Sequence, residues 1–165
     1  MNAIDEQEYR VRAIGWVRAA RSATVDDFWG GTQAQIELDA AQFDAMALAG
    51  LGEFSHVEVI YLFHKVSPTA VVTAAEHPRE NPAWPKVGIF AQRKKNRPNR
   101  LGLSTCRLVK VEGLTITVAE LDALDGTPVL DIKPHVREFA PRGEEIRQPA
   151  WMSALMVDYF VRKEG

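Results

Sequence analysis

A mainly β domain, folded as a single antiparallel barrel with one short helix and a C-terminal helix, is what this sequence predicts. Three observations carry that expectation. Short runs rich in Val, Ile, Thr and aromatic residues recur along the chain, Gly, Pro and Asp turn signals separate them, and no helical crossover intervenes between most of them. With 165 residues the chain has the length of one domain, which buries about 70% of the surface its unfolded form exposes. No internal repeat or interdomain linker is visible, so residues 1–165 read as one unit without an additional C-terminal domain.

Taken in order, residues 9–17 mix β-formers with small residues, and residues 33–38 alternate polar and apolar, so both read as strands. Between them, Asp26-Asp27-Phe28-Trp29-Gly30-Gly31 reads either as a flexible loop that closes over a ligand or as a turn anchored by a buried Trp29. Asp39 is placed to cap a helix over 40–49, with Gln42 at the third helical position and Gly50 at its end. A central strand over 57–66 and a shorter one over 69–73 follow. Pro78, Pro82 and Pro85 make 76–86 a long loop, because proline removes the amide that a helix or inner strand needs. A short strand over 87–91, a hairpin of 103–111 with 115–121 around Glu112-Gly113, and a strand over 129–132 complete the sheet. After a second loop, 134–149, a helix over 150–160 sets Trp151, Leu155 and Tyr159 in one row and Met152, Met156 and Phe160 in the next, a face made to dock or to dimerise.

Composition excludes several classes. A net charge of -2 and an isoelectric point near 6.1 do not suit a general nucleic-acid coat protein, so any nucleic-acid contact is local. Cys106 is the only cysteine, which rules out an intrachain disulfide, and the first ten residues lack the apolar core of a secretory signal. No apolar run approaches the ~18 residues that span a bilayer. A cytoplasmic protein without membrane contact is expected.

Two segments carry more than packing explains. Residues 93–100 place Arg93, Lys94, Lys95, Arg97 and Arg100 in eight positions, with Pro98 stiffening the loop and Asn96 and Asn99 adding donors and acceptors. A shaped cationic loop suits phosphate or carboxylate. Asp26, Asp27, Glu76, Glu80, Glu144 and Glu145 are expected away from it, limiting non-specific binding. The second segment, 121–134, gathers Asp122, Asp125 and Asp131 around the Asp125-Gly126 turn.

Other chemistries fit poorly. His56 and His64, eight apart on one predicted strand, would stand about 26 Å from each other, and His77 and His135 have no ligand-spaced partner, so no metal is expected. Gly102-Leu103-Ser104-Thr105-Cys106 lacks the second glycine of a nucleophile elbow and runs into a strand, and Cys106 reads as a packed thiol. Gly50-Leu51-Gly52-Glu53-Phe54-Ser55 follows a predicted helix into a strand, the reverse of a dinucleotide-binding turn.

Val87-Gly88-Ile89-Phe90-Ala91-Gln92-Arg93, Arg97-Pro98-Asn99, Leu101-Gly102-Leu103-Ser104 and Leu124-Asp125-Gly126-Thr127-Pro128-Val129-Leu130-Asp131-Ile132-Lys133-Pro134 together resemble the TrmO family, also called TsaA-like. The resemblance covers about residues 9–137. It implies a β-barrel, usually dimeric, S-adenosylmethionine-dependent methyltransferase that modifies N6 of threonylcarbamoyladenosine beside the tRNA anticodon. It also implies cofactor contacts at His64, Lys65, Arg93, Leu103, Leu121 and Asp122. The substrate, tRNA, would meet Lys94, Lys95, Arg97, Asn99 and Arg100. Where the family usually reads Arg-Ser-Pro-Phe-Arg-Pro-Asn-Pro-Ile-Gly, this chain carries Lys94-Lys95-Asn96 and Arg100 instead, exchanging apolar and turn-forming residues for charge.

Methyl transfer from a sulfonium is an in-line displacement, for which positioning supplies roughly 7–11 kcal/mol of the barrier. Neither metal nor covalent intermediate is required, and no residue stands out as the base that takes the acceptor's proton. Two alternatives share the basic loop: a methyltransferase acting on a small carboxylated metabolite, and a non-catalytic barrel that binds a nucleotide or RNA.

Overall fold

The computed structural model describes residues 8–143 and 145–163; Glu144, one of the acids named above, lies outside them. In chain order the strands are β1 (Gly15–Ala19), β2 (Gln33–Leu38), β3 (His56–Leu62), β4 (Ala75–Glu76), β5 (Val87–Gly88), β6 (Leu101–Glu112), β7 (Thr115–Ala119) and β8 (Pro128–Pro134), followed by the helix α1 (Ala150–Met156). Six of them close a barrel in the order β1-β2-β7-β6-β3-β8, with every neighbouring pair antiparallel. β4 and β5 pair as a separate two-stranded ribbon.

The period-two pattern works as expected. Val17, Ile36, Val57, Val59, Ile116, Val118 and Val129 point inward and are fully buried, each stabilising the fold by roughly 1.5–3 kcal/mol. Along β3 the buried residues are Val57, Val59 and Tyr61, opposite Cys106, Ser104 and Gly102 of β6. The barrel interior therefore changes from apolar to polar toward one end. Gly102 is required there, since a Cβ on it would lie 2.3 Å from the Tyr61 ring. A register shift between Ile60 and Tyr61 in the β3–β8 pairing bends the sheet at the same level.

Several expectations need correction. The helix over 40–49 reduces to a 3-10 turn, Ala45–Leu48, capped by Asp44. Asp39 instead accepts from Ala41 N–H at 2.9 Å and from the Gln42 side chain at 2.6 Å, closing a local turn that competes with the helix. Residues 69–73 are not a strand: Pro68–Ala70 is a 3-10 turn, and the small ribbon forms at β4 and β5 instead. The first strand is only Gly15–Ala19, and the central one stops at Leu62, leaving His64 in the turn beyond it. α1 ends at Met156, with turns carrying the chain through Phe160.

Candidate functional site

A cavity of about 1220 Å³ opens above the polar end of the barrel. Its walls are the turn after β3, the proline-rich loop, the basic loop, the segment after β7 and the C-terminal segment that contains α1. The site is thus built by loops on a rigid sheet.

Asp122 forms the polar centre. Its Oδ1 accepts hydrogen bonds from Tyr61 Oη at 3.1 Å and from Ser104 Oγ, and its Oδ2 accepts from Tyr159 Oη. Tyr61 and Ser104 come from β3 and β6, so the barrel register sets their placement. Burial first, then the Asp122 carboxylate, pushes ionisation of both phenols well above the ordinary tyrosine value, so both remain hydrogen-bond donors. His64 at the cavity edge has its pKa lowered, first by burial and then by the neighbouring Lys65 charge.

The basic loop is tied down by its own cations. Arg93 donates to the Leu103 carbonyl at 2.6 Å, Arg97 to the Gln92 carbonyl at 2.7 Å and Arg100 to the Val66 carbonyl at 2.6 Å. Asn96 bonds the Ala70 carbonyl through its side chain at 3.0 Å and accepts from Val72 N–H at 2.8 Å. Lys94 pairs with Glu76, and Lys95 with Asp26 at 3.0 Å. The expectation that Asp26 and Glu76 lie away from this loop is therefore wrong. Chain closure around the cavity brings distant acids against the two lysines and leaves the three guanidiniums without a carboxylate partner among the described residues.

The loop over 26–31 resolves toward its second reading. Trp29 is buried, its indole N–H donates to the Asp26 carbonyl at 2.9 Å, and the Arg21 guanidinium stacks 3.8 Å from its ring centre. Arg21 also donates to the Asp27 and Phe28 carbonyls, and Asp27 receives a two-pronged bond from Arg79 at 2.6 and 2.9 Å. The loop is an anchored wall.

Of the residues named as candidate cofactor and substrate contacts, His64, Lys65, Arg93, Lys94, Lys95, Arg97, Asn99, Leu103 and Asp122 line one cavity. Leu121 and Arg100 do not: Leu121 packs into the barrel core, and Arg100 is drawn to Val66. Nor do Asp125 and Asp131 reach the site. Asp125 accepts from Ala19 N–H at 3.1 Å, clamping the Gly126 turn against β1, and Asp131 pairs with Lys133 in solvent. Tyr61, Ser104, Gln92 and Glu120 were missed. Tyr61 looks like any inward residue of an alternating strand, and only the matching Gly102 hints that its ring needs space. Gln92 is buried and donates to the Val87 carbonyl at 3.0 Å, while Glu120 accepts from Gly31 N–H at 3.0 Å.

Backbone strain concentrates here as well. Arg79, Glu80, Asn99 and Glu120 have φ of 49°, 57°, 61° and 61°, and all four line the cavity. Non-glycine residues in this region cost of order 1–3 kcal/mol each and gather at functional sites.

Comparison with known proteins bears on the same region. Residues 26–140 match the family model described as the tRNA-methyltransferase O N-terminal domain. A human tRNA (adenine(37)-N6)-methyltransferase is 43% identical over 93 residues, 56% of this chain but 21% of the human protein. A "Probable S-adenosyl-L-methionine-binding protein" of Methanothermobacter thermautotrophicus is 32% identical over 85% of this chain and 99% of its own length. The crystal structure of TrmO from Pseudomonas aeruginosa superposes with a TM-score of 0.71 at 27% identity, covering 90% of this chain and 64% of that one. The chain thus spans about a fifth of the mammalian relatives it matches and about two thirds of the bacterial structure. With the barrel, the cavity and the matched residues in agreement, the chain belongs to the tRNA-methyltransferase O N-terminal domain family.

Proposed function

We propose that this protein is an S-adenosylmethionine-dependent methyltransferase that modifies N6 of threonylcarbamoyladenosine next to the anticodon of tRNA. The observation that carries the reading is the Asp122 cluster, a carboxylate fixed by three hydroxyls beneath a rim of uncompensated guanidiniums in one cavity. Both the relatives named as adenine-37 methyltransferases and those named for S-adenosylmethionine support it.

The residues present suit such a group. S-adenosylmethionine has a carboxylate, an ammonium, ribose hydroxyls and an aromatic base. Arg93 suits the carboxylate, Asp122 accepts from the ammonium or a hydroxyl, and Phe90 and Trp151 offer aromatic surface for the base. At about 1220 Å³ the cavity exceeds the roughly 300–1,000 Å³ typical of small-ligand pockets, which leaves room for an acceptor nucleotide beside the donor. When bound, the group supplies a methyl on a positively charged sulfur.

The chain's own part is placement. Asp122 stays oriented because three donors hold it, and Tyr61 stays in place because Gly102 leaves room for its ring. Arg93 and Arg97 keep most of their N–H donors after capping one carbonyl each, and those of Arg97 suit the acceptor's threonyl carboxylate or a backbone phosphate. Trp29, Trp151 and Met156 add apolar surface to the cavity walls. Lys94, Lys95 and Asn99 complete the RNA-facing edge.

The test is incubation of purified protein with methyl-labelled S-adenosylmethionine and tRNA carrying the threonylcarbamoyl group. Label retained by that RNA and absent from RNA lacking the group is the expected result. No transfer to either RNA sinks the reading, and transfer indifferent to intact tRNA replaces it with a small-molecule acceptor. We further propose a cytoplasmic homodimer. Among the described residues no helix is long and apolar enough to cross a membrane, and Val157 and Val161, apolar and exposed on the C-terminal segment outside the cavity lining, suit contact with a second copy. A monomer in sedimentation equilibrium would remove the dimer.

A further inference from the structure

The C-terminal segment lies beyond residues 26–140, the part matched by the family model, yet it builds one side of the cavity. Its hold on the barrel is specific. Phe28 N–H donates to the Asp158 carbonyl at 3.1 Å and Trp29 N–H to the Tyr159 carbonyl at 2.8 Å. A Cβ on Gly30 would lie 2.0 Å from the Phe160 carbonyl oxygen, so the approach needs glycine at that position. The receiving loop is the anchored wall around Trp29, which makes the clasp a fixed one.

What the clasp delivers is a hydroxyl. Each carboxylate oxygen offers two acceptor positions. On Asp122, Tyr61 and Ser104 fill both on Oδ1, and Tyr159 fills one on Oδ2. One acceptor position remains, on the oxygen that Tyr159 holds. Tyr61 and Ser104 are fixed by paired barrel strands, whereas Tyr159 reaches the same carboxylate from outside the barrel.

We infer that Tyr159 is a positioning residue: its hydroxyl, brought in by the clasp on residues 28–30, locks the Asp122 carboxylate so that the remaining Oδ2 acceptor meets an N–H or O–H of the bound methyl donor. The inference rests on the S-adenosylmethionine reading given above. Burial and the adjacent carboxylate keep the Tyr159 phenol protonated well above the usual range, so it stays a donor at working pH. Phenylalanine at this position keeps the ring, including its edge contact 5.0 Å from Phe160, and removes the donor alone.

Two measurements on the whole protein decide it. Hydrogen exchange without ligand should show the Phe28 and Trp29 amides exchanging faster in Tyr159→Phe than in the parent. Calorimetry with S-adenosylmethionine should show binding weakened about tenfold, the loss expected for one charge-assisted hydrogen bond. In methyl transfer the donor KM should rise by the same factor while kcat changes less. Gly30→Ala displaces the segment while leaving the identity of every cavity side chain unchanged, so it should reproduce both effects, and Tyr159→Phe made on top of it should weaken binding no further. Unchanged exchange, unchanged donor affinity, or additive losses overturn the inference; tighter binding in Tyr159→Phe does so too, because the hydroxyl would then be competing with the ligand. If the parent protein itself gives no heat with S-adenosylmethionine, the methyl-donor reading falls, and the exchange comparison alone decides whether Tyr159 fastens the segment.

Discussion

Inside the barrel, Val17, Ile36, Val59, Ile116 and Val118 are wholly shielded from water and meet through apolar atoms. In the crown of loops above them, a series of positions rests on a polar side chain reaching a backbone carbonyl: Arg93 to Leu103, Arg97 to Gln92, Arg100 to Val66, Asn96 to Ala70, Arg21 to Phe28. The contrast extends to the backbone. Among the described residues, four of the six non-glycine residues with positive φ, Arg79, Glu80, Asn99 and Glu120, line the cavity, and none lies within a barrel strand. Apolar burial is non-directional and tolerates exchange of one aliphatic residue for another, but a guanidinium that caps one particular carbonyl does not. A barrel of this kind can therefore be stable while its crown carries the specificity.

The widest separation between the two regions should come from Ile36→Ala. Emptying a fully buried site at the centre of the barrel should cost about 2–5 kcal/mol of unfolding free energy in urea. S-adenosylmethionine affinity, measured under conditions where the variant remains folded, should barely move, because Ile36 does not line the cavity. Asp122→Asn should do the reverse. Turning the carboxylate into an amide weakens every hydrogen bond made to it, and donor affinity by calorimetry should fall roughly ten- to a hundredfold, with a smaller loss of stability than in Ile36→Ala. Equal stability losses would mean that the two regions are not energetically distinct.

Gly102→Ala probes the boundary between them. A methyl placed 2.3 Å from the Tyr61 ring must push that ring aside, an overpacking cost of about 1–3 kcal/mol. Because Tyr61 also holds Asp122, stability and donor affinity should drop together. A variant that loses stability and binds the donor normally would show that Tyr61 is a packing residue only.

The same contrast explains what could be read from the chain. Alternation in Gln33–Leu38 and His56–Leu62 reveals barrel strands because one face must be dry. The antiparallel closure follows from strands that succeed one another without crossovers. The basic loop is equally visible as a local concentration of charge, and most of the residues it contributes do line the cavity. Its partners are not visible: Lys95 lies 69 residues from Asp26, and no local pattern announces such a pair. The helix expected over 40–49 fails for a related reason, since Asp39 and Gln42 satisfy each other and the Ala13 carbonyl instead of capping a helix. Asp122, Tyr61, Ser104 and Tyr159 stand far apart in sequence, so the cluster exists only once the barrel is closed.

A smaller effect tests how dry the polar end of the barrel is. Burial, aided by the Asp122 and Glu120 charges, pushes the Cys106 thiol from 9.0 to about 12. The folded state therefore resists thiol ionisation more than the unfolded chain does. That contribution is fully present below pH 9.0 and should be lost progressively as pH rises toward about 12. Tyr61 and Tyr159, also raised by burial, act in the same direction at higher pH. Comparing unfolding free energy against pH for the parent and Cys106→Ala isolates the thiol: the parent should fall more steeply over that window. Parallel curves would mean that water reaches the sulfur.

The smallest effect should have the opposite sign. Glu80 sits at φ 57° on the exposed rim, and its side chain makes no hydrogen bond to described residues. A left-handed conformation costs an ordinary residue roughly 1–2 kcal/mol, which glycine avoids while losing more backbone entropy on folding. Glu80→Gly should therefore stabilise the protein by about 0.5–1 kcal/mol in denaturant titrations. Its neighbour Arg79 shares the strain at φ 49° but holds Asp27 with two hydrogen bonds, so Arg79→Gly should bring no such gain. If Glu80→Gly instead destabilises the fold, the rim conformation is supported by contacts of the glutamate itself, and strain is not what distinguishes the crown from the barrel.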